Sequence, residues 1–299
     1  MTTARENSAN KSDAFPLNAV ALMDDVTFAA LADFVERNTG IKMPAEKKTM
    51  LEGRLRLRLR DLGLNDYRKY VKYLFSEFGK RQEMAHFLDL VTTNKTDFFR
   101  ENQHFEYLRS DVLPALVERF GPKLRFWSAP VSEGHEAYSL AMVLAEYALA
   151  EAPPGFCWSI LGSDLSSRAL AVGKRAVYPR EAVEPVPTAI RPKYLLRKQT
   201  DKGMLVRITP DLCRTVTFHR MNFMDDTYKL PKEFAKPFHA VFCRNMLIYF
   251  DHETQKKVLL NLARHMAKGS VLFTGHAEPL HGLSLPFERL TNSVYLLPA

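Results

Sequence analysis

Residues 126–142, FWSAPVSEGHEAYSLAM, constrain the fold more than any other stretch of the chain. A short apolar run leads into a small-residue turn containing Gly134 and then into residues with helical spacing. Phe126, Trp127 and Ala129 suit a buried strand, while Tyr138, Leu140, Ala141 and Leu144 recur on one helix face. A strand, loop and helix of this kind, at the carboxyl edge of a parallel sheet, is where doubly wound proteins hold nucleotide-like cofactors. Glycine permits the close backbone approach needed there. An ordinary turn also carries a lone glycine, so the chemistry of the loop has to decide. Phosphate-cradling loops use several glycines, often a lysine, and the positive end of a helix. This loop has Glu133 and Glu136 and no lysine. Carboxylates repel a pyrophosphate and suit a cofactor with ammonium and sulfonium charges, of which S-adenosylmethionine is the common one.

From Leu124 onward, strands and helices alternate. Strand candidates are 124–129, 158–162, 215–221, 240–243, 271–274 and 294–297, with helices near 136–150, 166–172 and 252–266. The pattern describes an open α/β sheet whose last strands form an antiparallel edge. Between Tyr194 and Arg214 no crossover helix is evident and 204–208 reads as an extra short strand, so a small excursion interrupts the domain there.

Before Leu124 the chain reads as helical, after a flexible leader over residues 1–22. Asp24 or Asp25 caps a helix that runs through Arg37 and stops at Gly40. Pro44 opens the next, which ends at Gly63; Asn65 caps another, and a further helix covers 82–91. Within the second helix, RLRLRLR at 54–60 alternates with period two, the signature of a strand. Leu51, Leu55, Leu59 and Leu62 nevertheless keep a helical stripe, with Arg54 one turn from Arg58 and Arg56 one turn from Arg60.

Ten Lys or Arg and only four Asp or Glu between Lys42 and Lys72 give that stretch a charge of +6, most of the +8 of the whole chain. Such a concentration implies an acidic partner surface or a solvated basic face. A hydrophobic content of 46% supports one large or two ordinary domains. No uninterrupted apolar run of about 18 residues occurs, and the first residues lack an apolar signal core, so a soluble, cytoplasmic protein is expected. Cys157, Cys213 and Cys243 lack a CxxC spacing or a nearby His pair and read as buried free thiols; no metal is expected.

Polar residues fall where the strands should end. Asp164 follows WSILGS, a position from which an acidic side chain accepts hydrogen bonds from ribose hydroxyls. It lies 30 residues after Gly134, beyond the spacing of roughly 20 usual in dinucleotide folds, which disfavours an NAD enzyme. Asn222 ends TFHRMN, Arg244 and Asn245 end HAVFC, and Tyr249 and Phe250 follow on the loop into the next helix. The stretch TTNKTDFFRENQHF (92–105) sets Phe98 and Phe99 beside an arginine, two apolar anchors that a solvated linker seldom needs.

Jointly these stretches resemble the CheR family of chemotaxis-receptor glutamate methyltransferases. The matching motifs are TTNKTDFFRE (92–101), WSAPVSEGHEAYSLAM (127–142), GSD (162–164), FCRNMLIYF (242–250) followed by Asp251, Thr254 and Gln255, and LFTGHAE (272–278). They stand in the family's order and cover nearly the whole chain from Asp25. The resemblance implies a helical receptor-binding domain (23–91), an interdomain loop and linker helix (92–110), and a Rossmann-like methyltransferase domain (111–299) with a small antiparallel β insertion near 195–220. It implies cofactor contacts from Asn94, Thr96, Arg100, Glu136, Asp164, Asn222, Phe223, Cys243, Arg244 and Asn245. Catalytic roles fall to Arg100, Arg244 and Tyr249, and the basic helix offers Arg54, Arg56, Arg58 and Arg60 to the substrate. The first loop departs from the family pattern at Pro130, Val131, His135 and Ala137, which bears on cofactor affinity; His135 reads as a surface residue rather than a catalytic one.

The expected reaction moves a methyl group from S-adenosylmethionine to receptor glutamates, giving glutamate methyl esters and S-adenosylhomocysteine. Charge is annihilated as a carboxylate meets a sulfonium, so a water-poor pocket favours it, and a glutamate acceptor already ionised near pH 7 needs no general base. Arg100 suits a carboxylate by its forked donors, and Tyr249 either bonds the acceptor or lines the sulfonium. Two alternatives stand beside this reading. One is a non-catalytic module of the same fold that senses the cofactor or docks on receptors. The other is nucleic-acid methylation, disfavoured because NMLI (245–248) stands where amino-methylating enzymes carry an Asn/Asp-Pro-Pro-aromatic turn. The expected partners are cytoplasmic domains of methyl-accepting receptors, without nucleic acid or membrane insertion, and the protein itself is expected to be a monomer.

Overall fold

The computed structural model describes residues 20–92, 95–201 and 203–299, so nearly all of the expected leader lies outside the described residues. The chain divides into two compact units, one reaching Val91 and the other starting at Thr92 and including Thr39–Ile41.

The first unit is helical: α1 (Asp25–Thr39), α2 (Lys48–Asp61), α3 (Tyr67–Leu74), α4 (Glu77–Gln82) and α5 (Met84–Val91). Asp24 caps α1 by accepting the Thr27 N–H at 2.8 Å. Asp66, not Asn65, caps α3 through the Arg68 N–H at 2.8 Å. Asn65 is used otherwise, its carbonyl accepting the Ala21 N–H. The leucine stripe overrides the period-two alternation of α2, with Leu51, Leu55 and Leu59 fully buried. Its two arginine rows differ. Arg54 donates to the last carbonyls of α5, Leu90 and Val91, at 3.1 and 2.9 Å, where helix ends carry partial negative charge. Arg58 forks onto Glu83 at 2.9 and 2.5 Å. Glu83 is fully buried, also accepts the Tyr70 hydroxyl, and splits the expected 82–91 helix by turning inward between α4 and α5. Arg56 and Arg60, on the other row, are half-buried.

The second unit opens with α6 (Gln103–Tyr107), a π turn (Leu108–Val112) and α7 (Leu113–Phe120). Pro114 in the first turn of α7 has no N–H for the ordinary ladder, which accounts for the wider turn before it. There follow β1 (Lys123–Ser128), α8 (His135–Ala150), β2 (Cys157–Asp164), α9 (Ser167–Arg175), β3 (Val177–Pro179), α10 (Arg191–Tyr194), β4 (Leu195–Thr200), β5 (Gly203–Ile208) and α11 (Pro210–Cys213). The chain then closes with β6 (Val216–Arg220), β7 (Phe238–Cys243), α12 (His252–Ala263), β8 (Met266–Thr274), β9 (Glu288–Arg289) and β10 (Val294–Leu296). The main sheet runs β6-β2-β1-β7-β8-β10-β9, parallel through β8 and antiparallel at β10 and β9. Alternate residues serve opposite faces: Phe126, Ile160, Phe242 and Phe273 enter one core, Trp127, Leu161, Val241 and Leu272 the other. The insertion is the antiparallel sheet β3-β5-β4, so it begins at Val177, ahead of the expected residue 195, and 216–220 belongs to the main sheet.

Two expectations are corrected. Of the cysteines only Cys243 is buried; Cys157, at the first position of β2, is exposed and Cys213 partly so. His135 is not a surface residue. It opens α8 with its ring 4.7 Å from Phe98 and 4.8 Å from Tyr178, 4% exposed, because Gly134 turns the chain inward at φ +91°. A side chain at Gly134 would meet Gly173, Phe218 and Tyr178 at 3.1 Å.

Burial holds the His135 imidazole down at about 4, against a pull upward from Asp97, and burial also holds His239 down at about 4. Protonation therefore favours the unfolded chain, where imidazole titrates near 6.5. The contribution is fully present above that value and is lost as pH falls toward 4. Unfolding free energies across this window should decline with acid, and His135→Leu should flatten the slope in denaturant titrations.

Candidate active site

Strand order places the site. β1 lies between β2 and β7, the point at which the sheet grows in both directions, and loops leaving such neighbours diverge to open a crevice above the strand ends. The loop after β1, the turn after β7 and residues 95–100 wall a cleft of about 440 Å³ including its open mouth. Thr96, Arg100, Glu136, Arg244 and Asn245 all line it.

Arg244 is the centre. Its side chain is 2% exposed, with Nη1 donating to Glu136 Oε2 at 2.9 Å and Nη2 to Glu101 Oε2 at 3.2 Å and to the Arg100 carbonyl. The guanidinium carbon lies 5.5 Å from the centre of the Phe105 ring, and the buried Nε has no hydrogen-bond partner. Ser128, the last residue of β1, donates its hydroxyl to Glu136 Oε1 at 2.6 Å. Burial pushes the Glu136 carboxyl up, opposed by the Arg244 charge and the Ser128 hydroxyl. Burial acts on Glu101 too, but its bond from Asn245 and the charge of Arg244 outweigh it and hold that carboxyl below the usual range.

A second carboxylate builds the turn after β7. Glu278 Oε2 accepts the N–H groups of Asn245 and Gly275, each at 2.7 Å, and Oε1 accepts that of Ile248 at 3.2 Å. This holds Asn245 at φ +58°. Phe99, Glu101 and Ser132 are also left-handed, at +53°, +55° and +50°, so four of the six such non-glycine residues among those described surround the cleft. Each such conformation costs about 1–3 kcal/mol and persists where neighbours over-determine it. Here Ser139 Oγ accepts the Phe99 N–H at 2.9 Å, Asp164 Oδ2 accepts the Ser132 N–H at 2.8 Å, and Asn245 Nδ2 donates to Glu101 Oε1 at 3.0 Å.

Asp164 ends β2 and is 5% exposed, with Oδ1 on the Ser166 N–H at 2.9 Å. It reaches the cleft through Ser132, which lines it. Asn222 and Phe223 follow β6 alongside, since the Met221 N–H bonds the Asp164 carbonyl at 2.9 Å. Asn222 Oδ1 accepts the Met224 N–H, and Phe223 is buried edge-on against Tyr228. Cys243 ends β7 in the core, its thiol pushed well up by burial. Tyr249 closes the single turn Leu247–Tyr249 and is half-buried. Asn222, Phe223, Cys243 and Tyr249 do not line the cleft, and Asn94 lies outside the described residues. Sequence reasoning missed Glu101, Glu278, Ser128 and Ser132. Glu101 and Glu278 close the motifs TTNKTDFFRE and LFTGHAE and so carried a signal; Ser132 acts through its backbone and carried none.

Arg244→Ala would leave Glu136 and Glu101 buried without their counter-charge. Breaking a buried pair from one side costs about 3–5 kcal/mol, and Glu136→Gln in the Arg244→Ala background should recover part of the loss in a double-mutant denaturation cycle.

Residues 94–296 match the model of the CheR methyltransferase SAM binding domain, and residues 27–92 that of the CheR methyltransferase all-alpha domain. The chain is 33% identical to a chemotaxis protein methyltransferase of Borreliella burgdorferi, over 95% of this chain and 96% of that one. It is 32% identical to the chemotaxis protein methyltransferase of Escherichia coli, over 92% of each chain. Chemotaxis protein methyltransferase 2 of Pseudomonas aeruginosa is 33% identical over 84% of this chain and 85% of that one. With a helical unit followed by a mainly parallel sheet that bears a small antiparallel insertion, and with both family models matched in order, this chain belongs to the CheR family of S-adenosylmethionine-dependent methyltransferases.

Proposed function

We propose that the chain methylates glutamate side chains on the cytoplasmic domains of chemotaxis receptors, working as a monomer in the cytoplasm. The observation that carries this reading is the buried Arg244, which lines the cleft between the loops of the sheet's switch point and is held there by Glu136 and Glu101. The guanidinium groups of the lining residues Arg100 and Arg244 suit a carboxylate, whether of the acceptor or of the cofactor's amino acid, and the acidic Glu136 and Asp164 suit the cofactor's ammonium and ribose hydroxyls. S-adenosylmethionine, when bound, supplies a methyl group on a sulfonium. Thr96, Arg100, Asn245 and Asp164 hold and orient the two reactants, Asn222 and Phe223 border the Asp164 end, and Phe105 and the residues packed under the loops exclude water. Tyr249, half-buried on the turn after β7, is the residue we assign to meet the acceptor. No residue removes a proton, because the acceptor arrives ionised. No helix of the described residues is long and apolar enough to cross a membrane, in keeping with a substrate met on its cytoplasmic side.

Calorimetric titration with S-adenosylhomocysteine should give binding that Asp164→Ala weakens by about 1–3 kcal/mol, the usual cost of a lost charged hydrogen bond. Incubating the chain with labelled cofactor and receptor cytoplasmic domains should yield base-labile methyl esters; no transfer by folded, cofactor-binding protein would leave a docking or sensing module instead.

On the helical unit, Arg56 and Arg60 form the docking row: Arg54 and Arg58 are engaged with α5 and Glu83, whereas Arg60 has only a long contact to its neighbour Asp61 at 3.8 Å and Arg56 lies beside Tyr67. Arg56→Glu with Arg60→Glu should raise KM for the receptor without changing cofactor affinity, and the wild type should lose more activity with added salt than the variant. Equal salt dependence of the two would remove this row from the interface.

A further inference from the structure

Three residues that the methyl-transfer reading uses only in part meet beside the cleft. Glu101 precedes α6, His104 lies on it and His276 follows β8; one ligand atom from each falls within 4.8 Å of the others. We propose that Glu101 Oε2, His104 Nδ1 and His276 Nε2 form a binding site for a divalent cation of the zinc type, and that its occupancy halts methyl transfer by taking Glu101 from Arg244. The binding half stands on this geometry alone; the inhibitory half rests on the proposed function.

The spacing is close to that of a metal centre. His104 Nδ1 is 3.5 Å and His276 Nε2 4.0 Å from Glu101 Oε2. Ligands about 2.0–2.1 Å from a tetrahedral zinc stand roughly 3.3–3.4 Å apart. The first edge is thus nearly formed, and a swing of His276, whose side chain is 48% exposed, closes the second. Glu101 and His104 are three residues apart, Glu101 in the left-handed turn that precedes α6 and His104 on the helix itself.

His104 supplies an independent observation. It is 3% exposed, yet its Nδ1 has no hydrogen-bond partner. Its other nitrogen, Nε2, lies 2.6 Å from Ser293 Oγ. With the proton on Nε2 and donated to that hydroxyl, Nδ1 points a lone pair at Glu101, the tautomer and outer contact of a metal-bound histidine. In that tautomer the lone pair faces Glu101 Oε2 at 3.5 Å, and a cation between them is coordinated by both. Two imidazoles and one carboxylate favour zinc and its neighbours over magnesium or calcium.

Arg244 sets the character of the site. Its Nη2 shares Glu101 Oε2 at 3.2 Å, and a dication at the same oxygen repels it. The site is therefore weaker than a structural zinc centre, and cation and guanidinium exclude each other there. When the cation holds Glu101 Oε2, Arg244 keeps Glu136 and the Arg100 carbonyl but loses its second carboxylate, while Asn245 keeps its bond to Oε1.

The test is calorimetric titration of the full chain, free of any added histidine tag, with zinc chloride, and with cobalt chloride followed by its visible absorption. Wild type should bind one ion, and its methyl transfer should fall in parallel and return on chelation. His276→Ala, which keeps the backbone N–H that bonds Glu101 at 3.2 Å, should weaken the ion by about 10-fold or more and leave methyl transfer resistant to zinc. No binding by wild type, or equal binding by His276→Ala, overturns the site. Zinc bound here with undiminished methyl transfer overturns the inhibition, whereas zinc binding by a chain with no transferase activity under any condition refutes the proposed function and leaves the site standing.

Discussion

The second unit depends on one guanidinium kept dry. Arg244 joins the end of β7 to Glu136 on α8 and to the turn at Glu101, partners 108 and 143 residues away in the chain. Taking such an ion out of water costs several kcal/mol, and partners in fixed positions at both terminal nitrogens offset it, with Nε left without one. The partners are themselves fixed: Ser128 holds one oxygen of Glu136, Asn245 one oxygen of Glu101, and Phe105 covers the guanidinium face. Three loops that leave different parts of the chain are thereby set in one arrangement.

The strain around the cleft follows the same logic. Asn245, Glu101, Phe99 and Ser132 sit in a backbone region that side chains resist, and each is pinned by a bond from a separate element. Asp164 shows the economy of this. A carboxylate at the end of β2, where a ribose hydroxyl would be met, also holds the loop after β1 in shape. Loops shaped in this way need little rearrangement to receive a ligand, which leaves more of the contact energy for orienting it.

Periodicity and strand-end polarity made the sheet legible: every long strand of the main sheet was visible, as were α8 and α12, because these elements are apolar along their length or on one face. The parts that were not visible lacked such a signal. β3 is three residues long and includes a proline, and β4, LLRKQT, is exposed at four consecutive positions, so neither alternates. Asn65 and Asp66 are equally good caps on paper; in the fold Asp66 Oδ1 accepts the Arg68 N–H while Asn65 Oδ1 accepts from Lys69. For the cleft, charged residues at motif positions that line it, such as Arg100, Glu136 and Arg244, could be named from the sequence. Contacts built from far-separated residues, Glu101 with His276 or Glu278 with Ile248, were not, since no spacing in the sequence encodes them.

The basic stretch illustrates how far a charge count departs from the field that a partner would feel. Lys48 is paired with Asp25, Arg68 with Asp24, Arg58 with Glu83, and Arg54 with the carbonyl end of α5. The three acidic residues among these partners lie outside the stretch whose net charge is +6. At distances beyond a Debye length of about 8–10 Å such pairs act as dipoles and fade quickly. The long-range pull on an approaching acidic surface is correspondingly smaller than the tally, because three of the ten cations are matched by acids from outside the stretch. What remains is short-ranged and directional, an arrangement that discriminates by where a carboxylate is placed rather than by how many a partner carries.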